Sequence, residues 1–284
     1  MKPTKSWVPY LQAAPLGLVF LAFLVIPIAT IVVVSFFDYN TTEIIPAFLR
    51  QNYEELLTSP VTWETYLQTI EFAAITWLLT FLIGFTLAYF LAFHVRATTW
   101  QTVLFLVCTI PFWTSNVIRM ISWIPFLGRN GLANMTLMKL GLIHHPLEFL
   151  LYSNFSVVLV YVHLYTLFMV VPIFNSMMRI DRSLLEAATD AGATGWQTLW
   201  NVIVPLSKTG IIIGSIFVIT IVMGDFVTIG VMGGQQIASV GKIIQVQTSY
   251  LQFPLAAANA VILLAVVLMI IYGLTRLVDI RKEL

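Results

Sequence analysis

The stretch MRIDRSLLEAATDAGATGWQTLWNVIVPLSKTG, residues 178–210, interrupts a chain that is otherwise apolar over long runs. Within it, Ser183-Leu-Leu-Glu186 has the Ser-x-x-Glu form of a capping box, in which side-chain acceptors satisfy the free amides of a first helical turn. Thr194-Gly-Trp-Gln197 has the related Thr-x-x-Gln form, so a second helix is predicted to start just after Gly192-Ala193. Pro205 reads as the stop of that helix, and Lys208 marks the return to apolar sequence. Two short helices meeting at an angle, with Ala187, Ala188, Ala191 and Gly192 around the bend, would form a compact knob. Small residues there let the backbone of another protein approach closely. The same pattern also suits an amphipathic surface loop that meets no partner.

Outward from this segment the chain turns to lipid chemistry. Of 284 residues, 59% are hydrophobic and 10% charged, against about 45–50% and 25% in soluble domains. Mean hydropathy is +0.92. That excludes a disordered chain and argues against a water-soluble globule, whose surface needs far more polar residues. The 14 basic and 13 acidic residues leave a net charge of +1, with no basic stripe for nucleic acid. The single cysteine, Cys108, excludes an internal disulfide framework and any multi-cysteine metal site. A spanning helix needs about 20 apolar residues, and six runs qualify: roughly 15–37, 68–93, 100–122, 153–177, 209–232 and 254–277. The first follows Lys2 and Lys5 but is too long for a signal-peptide core, and reads as a retained helix. The fold class is therefore all-α, a polytopic membrane protein of six transmembrane helices.

Basic residues set the orientation. With the N-terminus inside, the inner side holds Lys2, Lys5, Arg96, Arg179, Arg182, Lys208, Arg276, Arg281 and Lys282, nine in all, and the outer side Arg50, Arg129, Lys139 and Lys242, four in all. Both termini are thus predicted to be cytoplasmic. The outer loops, about 38–67, 123–152 and 233–253, carry six acidic residues and lean slightly acidic. The second is punctuated by Gly and Pro, which suggests a short surface helix between turns, and the third begins with Gly233-Gly234. The tryptophans Trp7, Trp100, Trp113 and Trp123 fall mostly near predicted interfaces, as belt residues do.

Glu186-Ala187-Ala188, then Gly192, then Val202-Ile203-Val204-Pro205 resembles the EAA motif of binding-protein-dependent ABC importer permeases. The spacing agrees, and Val202 and Val204 are conservative departures. Residues 111–123 (PFWTSNVIRMISW), Asn130-Gly131-Leu132, the stretch 141–151 and Gly224-Asp225-Phe226-Val227 with Gly233-Gly234 are similar to polyamine (spermidine/putrescine) permeases. Relatives commonly have Glu where Asp225 stands. The likeness covers about 65–270. It implies the MetI-like transmembrane fold over 65–284, after an N-terminal tail, first helix and outer loop over 1–64. It also implies a coupling loop at about 179–207, with Glu186, Ala187, Ala188, Asp190, Gly192 and Pro205 contacting a cytoplasmic ATPase. A second permease subunit, two ATPase subunits that hold ATP and Mg, and an outer solute-binding protein follow as partners, in a bacterial inner membrane. Relatives of this type also handle phosphonates, opines or ferric ion, so those solutes remain the alternative.

Charges within apolar spans cost about 2.5–3.5 kcal/mol on insertion scales and usually face a bundle interior or a wet cavity. Asp225, following Gly224 in an apolar run, is a candidate for the translocation path as an attractor of a cationic solute. It is also a candidate for pairing with a hydroxyl, amide or Arg of a neighbouring helix. Trp113, Asn116, Arg119 and Glu71 are further path candidates; Arg119 reads also as an interfacial anchor or gate salt bridge, and Glu71 as a partly solvated group near the start of the second span. His163 reads as a hydrogen-bonded core histidine. His144-His145 lack carboxylate or cysteine partners at metal spacing. No G-x-x-x-x-G-K-[ST] phosphate loop and no catalytic constellation stands out, so catalysis is not predicted for this chain. An ion-coupled secondary transporter would favour an internal repeat with paired broken helices, and residues 1–142 and 143–284 show none.

Overall fold

The computed structural model describes residues 8–40 and 43–277. Lys2, Lys5, Trp7, Arg281 and Lys282, used in the charge and belt readings, lie outside the described residues. Helices dominate because lipid offers no hydrogen-bonding partner, so each backbone amide and carbonyl must be satisfied within its own segment. In chain order they are α1 (Val8–Phe20), α2 (Ile26–Val34), α3 (Gln51–Thr58), α4 (Pro60–Tyr89), α5 (Thr98–Thr109), α6 (Asn116–Ile121), α7 (Trp123–Leu127), α8 (Leu132–Lys139) and α9 (Asn154–Met177). There follow α10 (Arg182–Asp190), α11 (Gly195–Thr198), α12 (Val204–Leu206), α13 (Lys208–Gly224), α14 (Val227–Met232), α15 (Val240–Ser249) and α16 (Phe253–Arg276). Single π-helical turns join α1 to α2 and α11 to α12, and a third extends α4. A two-residue antiparallel ladder, Asp38–Tyr39 on Ile44–Ile45, follows α2.

Four of the six predicted spans are continuous helices: Leu11–Val34, Pro60–His94, Glu148–Met177 and Phe253–Arg276. The other two are corrected. The predicted run 100–122 breaks after Trp113, and the helical stretches Thr98–Trp113 and Asn116–Lys139 are bent by 91°. Pro111 lies just before that break, and Thr114 and Ser115 leave helical geometry. The predicted run 209–232 breaks at Asp225, whose ψ of 121° ends α13. The second span also starts earlier than predicted, at Pro60 rather than 68, which places Glu71 about three turns inside α4 rather than at its start.

One compact unit comprises 1–62 and 243–265. Its small core joins Leu56, Leu255 and Ala258, with Tyr39, Tyr53 and Ile262 against them. Asn52 fixes the chain after α2, donating to the carbonyls of Ser35 (3.0 Å) and Phe37 (2.8 Å). The window of the first span is wholly unburied, as a helix apolar on every side is in lipid.

The second unit comprises 63–242 and 266–284. Its hub is α9, where Val157, Val160, Tyr161, Met169, Val170 and Ile173 are fully shielded. Close approach of α13 to α9 depends on glycine. A β-carbon at Gly210 would stand 2.4 Å from the Pro172 carbonyl oxygen, and one at Gly214 would stand 2.7 Å from the Met169 sulfur. Gly210-x-x-x-Gly214 is the small-x-x-x-small pattern that lets membrane helices touch backbone to backbone. Across the helices, Trp77 of α4 donates to Ser215 of α13 (2.7 Å), and the Val240 amide donates to Thr69 (3.0 Å).

Candidate functional site

The break after α13 is organised by one carboxylate. Asp225 Oδ1 accepts the backbone amides of Val227 (2.8 Å) and Thr228 (2.9 Å), which caps α14. Its Oδ2 accepts the Tyr165 and Thr228 hydroxyls, both at 2.6 Å. A carboxylate offers about four lone-pair sites, and here four donors occupy them. Asp225 is therefore not in the middle of a helix, as the sequence predicted. It is the half-buried joint between two helices, tied to α9 through a tyrosine. Tyr165 lies twelve residues before Met177, about 18 Å along α9. The far end of α14 is also pinned to α9, by the Ser156 hydroxyl donating to the Met232 carbonyl at 2.9 Å.

The second broken span reaches the same place. Asn116, Val117 and Met120 of α6 line a cavity of about 330 Å³ together with Leu164, Tyr165, Gly224, Asp225 and Thr228. Irregular backbone at membrane depth is tolerated where it is buried in protein or lines a wet cavity, and both breaks meet that condition here. Arg119 follows on α6. Its Nη2 donates to Asn116 Oδ1, while Nε and Nη1 are closed off from solvent with no acceptor. No ion pair joins Arg119 to Asp225 among the described residues. His163 is corrected from core to surface: it is exposed, and its Nδ1 accepts from Trp123 Nε1 at 2.9 Å. Trp113 is 88% exposed and Glu71 is also exposed. Neither lines this cavity. Among the described residues, no three His, Cys, Asp or Glu side chains gather as metal ligands.

At the other end of α9 and α13 lies a larger cavity, about 720 Å³, lined by Pro172, Asn175, Arg179, Asp181, Thr209 and Phe217 among others. Asp181 is where the knob begins. It, and not Ser183, caps α10, by accepting the Ser183 amide at 3.0 Å. An aspartate two residues ahead of Ser183 makes the better-placed Asx turn, so the expected Ser183–Glu186 box does not form. The Ser183 amide and hydroxyl hold the Asp181 carboxyl below the ordinary carboxylate range. Gly192, at φ +82°, turns the chain after α10, a conformation that costs a residue with a side chain about 1–2 kcal/mol. The Thr194–Gln197 capping box forms as predicted. The second helix runs on through Pro205 to Leu206, one residue past the predicted stop, and Pro205 directly follows the π-helical turn Leu199–Ile203 and Val204. Glu186, Ala187, Asp190, Gly192 and Pro205 are exposed, and Ala188 is half-buried.

Residues 84–283 match the family of binding-protein-dependent transport system inner membrane components. The chain belongs to that family. Among relatives of this permease, the spermidine/putrescine transport system permease protein PotB of Escherichia coli is 31% identical over 92% of this chain and 96% of its own. PotB of Haemophilus influenzae is 29% identical, with 92% of each chain covered. The permease also superposes on a chain of a bacterial ABC transporter that imports the acidic polysaccharide alginate. That match has a TM-score of 0.73 and 19% identity, over 95% of this chain and 94% of the other. It establishes the fold. As a family member the permease is a transport component and not a catalytic enzyme. Sequence reading missed Tyr165 and Thr228, the partners of Asp225, because neither stands out among the many hydroxyl residues of apolar helices. Gly210 and Gly214 carried a readable spacing.

Proposed function

We propose that this permease forms half of the path by which an ATP-driven importer carries a polyamine, such as spermidine or putrescine, across the inner membrane. The observation that carries the reading is 31% identity, over 92% of this chain, with a spermidine/putrescine permease. A second permease subunit completes the path, and two ATPase subunits hold the ATP and Mg. An outer binding protein delivers the solute, as in the solved alginate transporter in complex with its pentasaccharide-bound periplasmic protein. The nine-to-four excess of basic residues supports cytoplasmic termini.

In this reading the ATPase contacts are Glu186, Ala187, Ala188, Asp190, Gly192 and Pro205, on the exposed knob. The helical stretch Gly195–Leu206 joins α13 at a bend of 65°, and α13 ends at Asp225. ATPase closure that shifts the knob therefore moves a rigid helix whose far end is the Asp225 joint, a rigid-body switch between inward and outward access. Asn116 and Asp225 line the path at that joint, with Arg119 bonded to Asn116 beside them, and Trp113 and Glu71 do not line it. The test is uptake by the complete complex, reconstituted in vesicles with its binding protein. Labelled spermidine and putrescine should accumulate with ATP and compete with one another. Uptake of a phosphonate or ferric ion with no polyamine uptake would overturn the substrate assignment.

A further inference from the structure

The two cavities follow one another along the same pair of helices, α9 and α13. Tyr165, Phe168, Pro172 and Asn175 recur on one face of α9, and Ile213, Phe217, Ile221 and Gly224 on one face of α13, at spacings of three and four residues. Of these, Tyr165, Ile221 and Gly224 line the cavity at Asp225, while Pro172, Asn175, Ile213 and Phe217 line the larger one. Between them stand the rings of Phe168 and Phe217, with centroids 6.3 Å apart. Phe168 also lies 6.2 Å from the Tyr165 ring and 4.8 Å from Phe112. Polar side chains stand at both ends (Asn116 and Asp225 at one, Asn175, Arg179 and Asp181 at the other), as they do where a helix faces a bundle interior or a wet cavity.

We propose that Phe168 and Phe217 form an aromatic passage that a linear polyammonium chain crosses by cation–π contact. This inference rests on the polyamine reading above. No acidic residue lies on α9 from Tyr165 to Met177 or on α13 before Asp225. A cation travelling from Asp225 toward Asp181 therefore meets no carboxylate on these helices in between, and the rings of Phe168 and Phe217 carry a quadrupole that attracts an ammonium. The Asp225 carboxylate is already occupied by four donors, so it releases a passing ammonium readily. An inorganic cation that keeps its hydration shell gains little from a ring, whereas a weakly hydrated alkylammonium gains its contact along with apolar burial of its methylenes.

Fluorination of the rings tests this, because it drains the quadrupole with little change of shape. The complete complex is prepared with mono-, di- and trifluorophenylalanine at 168 and 217 and assayed for spermidine uptake in vesicles. Uptake should fall stepwise with fluorine number, by roughly three- to thirty-fold at the end of the series, with subunit content unchanged. Phe168→Tyr with Phe217→Tyr should retain uptake. A parent complex that imports no polyamine overturns the substrate reading and this inference together. A parent that imports spermidine, with uptake flat across the fluorine series, overturns the aromatic passage alone.

Discussion

At the residue scale, the site turns on how many donors a carboxylate can hold. Asp225 accepts two amides and two hydroxyls, so it acts first as the joint of a broken helix. Tyr165→Phe removes one charge-assisted hydrogen bond and should lower the stability of the purified protein by about 1.5–3 kcal/mol, read from denaturation in detergent. Asp225→Asn, which retains an acceptor for the two amides but puts an NH2 donor where both hydroxyls donate, should cost at least as much. Asp181 gives a pH prediction whose sign is fixed by its depressed pKa. Its cap contributes fully above the ordinary carboxylate value of about 3.9 and is lost as pH falls through the lower folded value. Amide exchange at Ser183, corrected for its intrinsic pH dependence, should be flat from about pH 8 to 5 and accelerate below about pH 4. In Asp181→Ala it should be fast throughout.

At the element scale, two glycines on α13 decide whether it can lie against α9. Gly210→Val would drive a side chain into the Pro172 carbonyl. It should destabilise the pair by about 1–3 kcal/mol or more, seen as lost folded yield on size-exclusion chromatography. Gly195→Ala, with open space around it, should be neutral or mildly stabilising in the same assay. Much of this architecture was legible in the sequence. Long apolar runs gave the continuous spans, and Thr194-Gly-Trp-Gln197 gave the second helix of the knob. The break at Asp225 was not legible, because an apolar window tolerates one acid, and the tyrosine that stabilises the break lies sixty residues earlier. The cap of α10 was misplaced for a different reason: Asp181 and Ser183 both suit a helix start, and only geometry chooses between them. The other break left a signal, since Pro111 precedes Thr114-Ser115, yet hydropathy averaged across it.

At the scale of the whole molecule, the proposed orientation puts the knob on the inner side and residue 130 on the outer side. In a background with Cys108→Ser, a cysteine at Asp190 should react with a membrane-impermeant thiol reagent only after the vesicles are opened, whereas one at Asn130 should react from outside intact cells. The central claim is that force enters this permease through residues 182–206. The most direct measurement is co-purification of the ATPase with the permease carrying Glu186→Arg and Gly192→Arg together, set beside Glu71→Gln as a control outside the knob. The account predicts that the double variant folds, loses the ATPase and imports nothing, while Glu71→Gln retains both. An intact complex with full uptake in the double variant would contradict it.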